Sequence, residues 1–513
     1  MTDEGPQSGP RKWLSVPNAQ TMTDVLLYGN VYISSFIFIE MMRRLLERDP
    51  EQARGVRFHL VFDDRRDRDL AAATLPNDDR IRLYAQYEEC RPWDSNGSWT
   101  PEKIREWERR YGAPHLGAYI TTERILVGRP YEVRLRYLLH QIAYFEGLCR
   151  RIRPRLFMCG PAGSLPPWVA INVFQANNVP SLLVGCSRFE NRFTLPVDAH
   201  ENLGIGELYR EKLRTGLTAE ENEAVQKILS QYRARRAKPV EFGPIRKAIR
   251  PRLIPRPSRL WQNIQEYRSS DRRYYDEPLS VILGRALKAR RSWLFNLLFA
   301  RHGTASLENV PGFFFLPLQV EPEMSLTTQG RGWPSQLALI RLISESLPVD
   351  RWLYVKEHPM MSSGVRPLPF YRELLRLPRV RLLDQRLDSY AVIPRAEAVI
   401  TLGSTAGLEA LMLGKPVLLA GRAFYEEFPE GVVRLERFED LPALLRGLRS
   451  RPPIEEESLA AFTAATLTKA PRGFLAEARF FPALREQVMG NLDGFVDVLL
   501  DRLKELRGQF SVV

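Results

Sequence analysis

Cysteine is scarce, with four in 513 residues (Cys90, Cys149, Cys159 and Cys186), none in a C-x-x-C pair and none with a histidine at ligand spacing. Neither a structural zinc site nor a disulfide framework is therefore expected, and no metal is assigned. A run of about 20 apolar residues, the length needed to cross a bilayer, is also missing. The leader MTDEGPQSGPRKW lacks the charged-then-apolar pattern of a secretion signal. The expected location is the cytoplasm, with peripheral attachment to the inner membrane left open. No G-x-x-x-x-G-K-S/T occurs, which excludes P-loop chemistry, and Gly204-Ile205-Gly206 lacks both a third glycine and a preceding strand, so a dinucleotide fingerprint fails. No repeat recurs at a fixed period.

The composition that remains is 44% hydrophobic and 26% charged, an ordinary globular balance with apolar material for two or three cores. Lysine and arginine number 74 against 61 acidic residues, a net charge of +13. The excess is local. Between Gln231 and Arg301 there are 18 basic and 5 acidic residues, so the rest of the chain is neutral. That segment also holds the apolar stretch Ser292 to Ala300 (SWLFNLLFA) beside Arg290 and Arg291. The mixture suits an anionic membrane surface or a phosphate-bearing acceptor at least as well as nucleic acid, and a solvated helical face is the plain alternative.

Residues 1–20 read as a flexible leader. Apolar runs then predict a strand at Asp24 to Gly29, an amphipathic helix at Ile33 to Arg48 and a strand at Val56 to Phe62. After a less regular stretch, a helix is predicted over Tyr131 to Arg153. It is followed by a strand at Leu156 to Cys159, the turn Gly160-Pro161-Ala162-Gly163-Ser164, a helix containing Trp168 to Asn177 and a strand at Ser181 to Val184. This alternation predicts a parallel sheet covered by helices over 21–205. Residues 206–311 read as a basic helical insertion between domains. From Phe313 the alternation resumes, with strands at Phe313 to Leu318, Trp352 to Val355, Val380 to Leu383, Ala398 to Thr401 and Pro416 to Ala420. The helices between them are predicted at Pro334 to Leu347, Phe370 to Leu377, Ser389 to Pro394 and Ala406 to Leu413. These predict a second Rossmann-like domain over 312–450, with its loops gathered at the carboxyl ends of the strands, and C-terminal helices over 451–513. The expected class is α/β: two doubly wound domains facing a cleft.

Two loops carry the chemistry. Leu402-Gly403-Ser404-Thr405-Ala406-Gly407-Leu408-Glu409 joins a strand to a helix, where unpaired first-turn amides, the helix dipole and two hydroxyls suit a phosphate. The alternative is an N-cap serine closing a tight connection. Lys356-Glu357-His358-Pro359 also follows a strand, so its Lys and His would face the same edge of the same sheet. Gly-Ser-Thr-Ala-Gly imitates a hydrolase nucleophile elbow. However, Thr405 stands in the nucleophile position and the last histidine is His358, which precedes it, so a triad is not expected. Asp67-Arg68-Asp69 imitates a metal-binding D-x-D, yet the interleaved arginines predict a solvated, salt-bridged loop.

Phe315-Leu316-Pro317-Leu318-Gln319 with Pro322-Glu323, then Val355 to Pro359, Ile400 to Leu411 and Gly414-Lys415-Pro416-Val417 together resemble the bacterial capsule polysaccharide biosynthesis proteins, GT-B glycosyltransferases that include Kdo transferases. The resemblance covers mainly 312–450, with a weaker echo at 155–192. It implies that the C-terminal domain holds a nucleotide-sugar donor, with Lys356, His358, Pro359, Gly403, Ser404, Thr405, Ala406 and Gly407 around the nucleotide phosphate and Glu409 toward the ribose. It also implies an acceptor, a glycan or lipid-linked glycan, on the N-terminal domain, for which Gly160, Ser164, Arg188 and Arg192 are the candidates. Kdo or a related ulosonic acid from a CMP-sugar is the implied donor, with UDP-sugars open. No cofactor beyond that donor is implied, and no nucleic acid partner is expected. Glu323 and Glu190 are the candidates for a catalytic base. Alternatives are a teichoic-acid-type polyol-phosphate transferase, a nucleotide-sugar epimerase and a non-enzymatic basic scaffold.

Overall fold

The computed structural model describes residues 22–29, 34–48, 55–63, 65–90, 99–112, 115–120, 123, 126, 130–189, 191–234, 304–305, 307, 312–320, 330, 335–358, 366, 368–384, 387–473 and 490–508. Most of the basic segment 231–301, together with Glu190, Glu323 and Pro359, lies outside these residues.

Two parallel sheets are present, so the expected pair of doubly wound domains is there. The N-terminal sheet consists of β1 (Thr23–Gly29), β2 (Val56–Phe62), β3 (Ile81–Ala85), β4 (Leu156–Cys159) and β5 (Ser181–Leu183), in the order β3-β2-β1-β4-β5. All its pairings are parallel. Buried on both faces, β1, β2 and β4 are runs of Val, Leu, Phe and Tyr rather than alternating patterns. A short antiparallel pair, β6 (Gly185–Cys186) and β7 (Phe193–Thr194), follows.

The described strands of the C-terminal sheet are β8 (Thr304–Ala305), β9 (Phe313–Pro317), β10 (Trp352–Lys356), β11 (Val380–Leu383), β12 (Ala398–Thr401), β13 (Val417–Leu419) and β14 (Val432–Arg434), in the order β14-β13-β12-β9-β10-β11-β8. The chain leaves β9 toward β10 on one side and later returns to lay β12 on the other. The strand order thus reverses between β9 and β12, and a doubly wound sheet opens its ligand crevice at such a point, beyond the carboxyl ends of the strands.

Helices Gly206–Thr215 and Ala219–Arg233 pack with the C-terminal sheet, contributing Ile205, Tyr209, Val225 and Leu229 to the core beneath Phe315, Val399 and Leu411. The last helix, Asp493–Gly508, does the reverse. Its Phe495, Val496, Leu499 and Leu503 join the core of the N-terminal sheet with Ile37, Phe38 and Met41, and Phe495 stacks on Phe193 with centroids 3.9 Å apart. The two domain-crossing segments are zipped together where Leu195 donates to the Lys469 carbonyl (3.0 Å) and Gly473 to that of Asn191 (3.0 Å).

The stretch carrying Asp67-Arg68-Asp69 is a helix, Arg65–Thr74, rather than a loop. It is salt-bridged as its composition implied, because Arg68 pairs with Asp69 (2.8 Å) and with Glu88, but Asp67 is buried rather than solvated.

Candidate functional site

The site lies where β9, β10 and β12 end. Thr401, the last residue of β12, is buried, and its hydroxyl oxygen accepts from the amides of Gly403 (3.2 Å) and Ser404 (3.0 Å) while donating to Ser404 Oγ (2.9 Å). That closes a turn which Gly403 enters at φ 139°, a region other residues rarely adopt. Ser404 then caps helix Thr405–Met412 in extended conformation, but its side chain makes no cap hydrogen bond. Ser404 is thus the N-cap by position, its carbonyl accepting from the Gly407 amide (3.0 Å), while its hydroxyl is turned to Thr401. No acidic residue stands in the first turn. A short helix whose cap does not spend its hydroxyl on the first amides can present them to an anion.

The turn is braced from beneath. Tyr425, wholly buried, donates its hydroxyl to the Ser404 carbonyl at 2.8 Å. Its ring occupies the space next to Gly407, where a Cβ would lie 2.2 Å from Tyr425 Oη and 2.7 Å from Cζ. Gly407 therefore makes room for the brace. Burial raises the Tyr425 pKa far above the usual phenol range, so it stays a donor.

Across β9, Lys356 ends β10 and is only 4% exposed. The next residue, Glu357, is buried and accepts from Arg366 Nε (2.8 Å), from the Tyr371 hydroxyl (2.5 Å) and from the backbone amide of His358 (2.7 Å). Arg366, 2% exposed, also donates to the Gln319 carbonyl (2.7 Å). This buried ion pair ties the end of β10 to the end of β9. His358 is pushed down to about 4, first by burial and then by the positive charges of Lys356 and Arg366. At neutral pH its ring is therefore uncharged, one N–H donor and one acceptor, and the fixed positive charge of this loop resides on Lys356 and Arg366.

The N-terminal domain has an equivalent junction between β1 and β4, with Gly160 and Ser164 leading into helix Leu165–Ala176. Its helix start has fewer amides to offer an external anion. Pro166 and Pro167 remove two first-turn donors, and the Leu165 amide donates to the buried carboxylate of Glu123 (3.3 Å). The same edge carries a buried polar cluster that the sequence did not reveal. Asp63 follows β2 and is 4% exposed. Tyr28 shares its hydroxyl between Asp63 and Gln86 Oε1, and Gln86 donates to Gln141. The only sequence signal for it was the position of Asp63 directly after a predicted strand.

Arg188 and Arg192 separate. The Arg188 carbonyl accepts from the Tyr232 hydroxyl (3.0 Å), on a helix packed against Thr405–Met412, and the charges of Arg188 and Glu409 both act on Tyr232 and Tyr425. Arg188 thus stands beside helix Thr405–Met412 of the C-terminal domain rather than with Gly160 and Ser164. Arg192 donates to the Ala470 carbonyl (2.6 Å), and burial, then Arg472, lowers its pKa, so it serves the domain crossing. Cys90, Cys149 and Cys159 are buried and Cys186 is partly exposed, and none of the four is in a disulfide. Among the described residues no three His, Cys, Asp or Glu side chains gather as a metal site, and no helix is long and apolar enough to cross a membrane.

Fold and site together define a two-domain α/β protein with an anion-suited crevice at the switch point of its C-terminal sheet. Residues 262–433 match the sequence profile of the family described as "Capsule polysaccharide biosynthesis protein", the family that the motifs over 312–450 resemble. Protein FixF of Sinorhizobium fredii (strain NBRC 101917 / NGR234) is 33% identical over 122 residues, which are 22% of this chain and 28% of that protein's length. The match thus spans less than a third of that curated relative. Among solved structures, KpsC β-Kdo 2,7 transferase of Thermosulfurimonas dismutans aligns over 66% of this chain and 88% of its own at 15% identity and a TM-score of 0.34. UDP-GlcNAc 2-epimerase of Methanocaldococcus jannaschii aligns over 87% of this chain and 99% of its own at 10% identity and a TM-score of 0.26. Overlaps of that quality do not transfer a function.

Proposed function

We propose that this chain is a glycosyltransferase of bacterial surface polysaccharide synthesis, holding a nucleotide-sugar donor on its C-terminal domain and a glycan or lipid-linked acceptor on its N-terminal domain. The observation that carries the reading is the Gly403–Thr405 turn. It sits at the switch point, its first helix amides take no hydrogen bond from the Ser404 side chain, and Lys356 and His358 stand on a loop of the same edge. The family match over 262–433 supports the polysaccharide context, and the resemblance favours Kdo or a related ulosonic acid carried on CMP.

In the reaction an acceptor hydroxyl oxygen attacks the anomeric carbon, the bond from that carbon to the nucleotide phosphate breaks, and the electron pair leaves on the phosphate oxygen. Helix amides, the Ser404 and Thr405 hydroxyls, Lys356 and the neutral His358 would take up the charge growing there, which is the larger part of what such a site must supply. The acceptor proton goes to a carboxylate, for which Glu323 and Glu190 are the assigned candidates.

The test is thermal denaturation with CMP, CDP, UDP, GDP and ADP, on the wild type, His358→Ala and Thr405→Ala. One cytidine or uridine nucleotide at ~100 times its dissociation constant should add about 2.7 kcal/mol of apparent stability, and each variant should lose most of it. No response to any nucleotide would end the transferase reading.

A further inference from the structure

Gln319 follows β9 and is 3% exposed, yet neither its Nε2 nor its Oε1 has a hydrogen-bond partner among the described residues. Its main chain has no freedom to relieve this. The Gln319 amide donates to Gln336 Oε1 (2.7 Å), and its carbonyl accepts from Gln336 Nε2 (3.0 Å) and from Arg366 (2.7 Å). Backbone polarity is satisfied while the side-chain amide is left bare in the interior, an arrangement that costs stability.

Gln319 lines a small cavity of about 10 Å³ together with Leu316, Pro317, Gln336, Leu339, Thr401 and Leu402. That is room for about one water-sized group. The cavity lies between the carboxyl ends of β9 and β12 and helix Gln336–Ser346, and Thr401, which closes the Gly403–Ser404 turn, forms part of its wall. Gln336 cannot serve the space, because both its amide atoms are spent on the Gln319 backbone. What the cavity offers is thus one donor and one acceptor, held side by side next to the anion-suited turn, with apolar walls elsewhere.

We infer that Gln319 is a ligand-reading residue, and that its amide receives a hydroxyl of the nucleotide donor whose phosphate sits at Ser404 and Thr405. A hydroxyl has the matching size and is both donor and acceptor, so it satisfies Nε2 and Oε1 together. An anionic oxygen would leave the Oε1 lone pairs opposed, and an apolar group would leave both atoms bare. The inference rests on the donor reading above and adds a neutral contact to the charged ones.

The experiment compares wild type with Gln319→Met, which keeps the length and removes both polar atoms, using CMP, UMP and inorganic phosphate as probes in calorimetric titration, and thermal denaturation of the free proteins. Expected are binding of CMP or UMP weakened about tenfold, the loss of one good hydrogen bond, unchanged affinity for phosphate, and a free protein at least as stable as wild type. Unchanged nucleotide affinity would overturn the assignment. So would an equal loss for phosphate, which would mean a distorted turn, or a lower melting point of the free variant, which would mean that the amide is already satisfied. A wild type that binds phosphate but neither nucleotide would remove the donor reading itself, an outcome distinct from the other three.

Discussion

Replacing Gly407 by alanine tests whether the phosphate turn is held by Tyr425. In an ordinary helix the change should stabilise, by up to about 1 kcal/mol. Here the new Cβ would lie 2.2 Å from Tyr425 Oη, 2.7 Å from Cζ and 3.1 Å from Thr401 Cγ2. The phenol is buried on all sides and cannot swing to solvent, so it must retreat by roughly 1 Å or more to reach ordinary contact. Overpacking of this kind costs about 1–3 kcal/mol. The retreat also breaks the 2.8 Å bond to the Ser404 carbonyl and strands a buried hydroxyl, a further cost of about 1–3 kcal/mol. After the helix-propensity gain of about 1 kcal/mol, the net destabilisation should be about 1–5 kcal/mol, with loss of nucleotide binding. The control is inside the same protein. Gly147, exposed in helix Tyr131–Ile152, would place a Cβ with nothing within 4 Å, so Gly147→Ala should be neutral or stabilising. Urea denaturation followed by near-UV circular dichroism measures both, and Tyr425→Phe added to Gly407→Ala should recover part of the loss by removing the clashing oxygen. If Gly407→Ala were as stable as Gly147→Ala, the reasoning would be refuted.

Two further outcomes follow from the charges. The His358 ring holds its proton only below about 4 when folded and below 6.5 when free, so between those values the unfolded chain binds more protons. Stability should therefore fall as the pH drops through that window, by at most about 3 kcal/mol, and His358→Asn should flatten the profile; an unchanged profile would mean that the ring is not held neutral. We propose that the basic run 231–301, with 18 basic and 5 acidic residues, meets an anionic membrane surface presenting the acceptor. Vesicles of one-third phosphatidylglycerol should then recruit the protein at low salt and release it at about 0.5 M salt, whereas no recruitment at low salt would remove that role.

Much of the fold was legible because buried parallel strands announce themselves as apolar runs. The strands at Val56–Phe62, Leu156–Cys159, Val380–Leu383 and Ala398–Thr401 end where the sequence predicted. The strands that escaped notice lie at or near the sheet margins. Ile81–Ala85 exposes Arg82, and Val432–Arg434 is three residues long with two of them only partly buried, so neither carries the run of buried side chains that marks a central strand. Within the site, the Ser404 turn and the Lys356–His358 loop were legible from their positions at strand ends. The roles of Gly407, Gln319 and Glu357 were not. Each depends on a partner far along the chain or across the sheet: Tyr425, Gln336 with Arg366, and Arg366 with Tyr371.

By itself the sequence determined the alternation of strand and helix, the two-sheet class, and the placing of glycine, hydroxyl and cationic residues just past strand ends, because these follow from local periodicity and turn chemistry. Only the tertiary structure decided that β12 returns beside β9 and so opens the crevice there. It also decided that helix Asp493–Gly508 crosses back to the N-terminal core, that Tyr425 braces the Ser404 turn, and that His358 is neutral. The physical reason is common to all of these. Central strands of similar apolarity do not encode their order in the sheet, and desolvation and charge proximity are set by residues that meet only once the chain has packed.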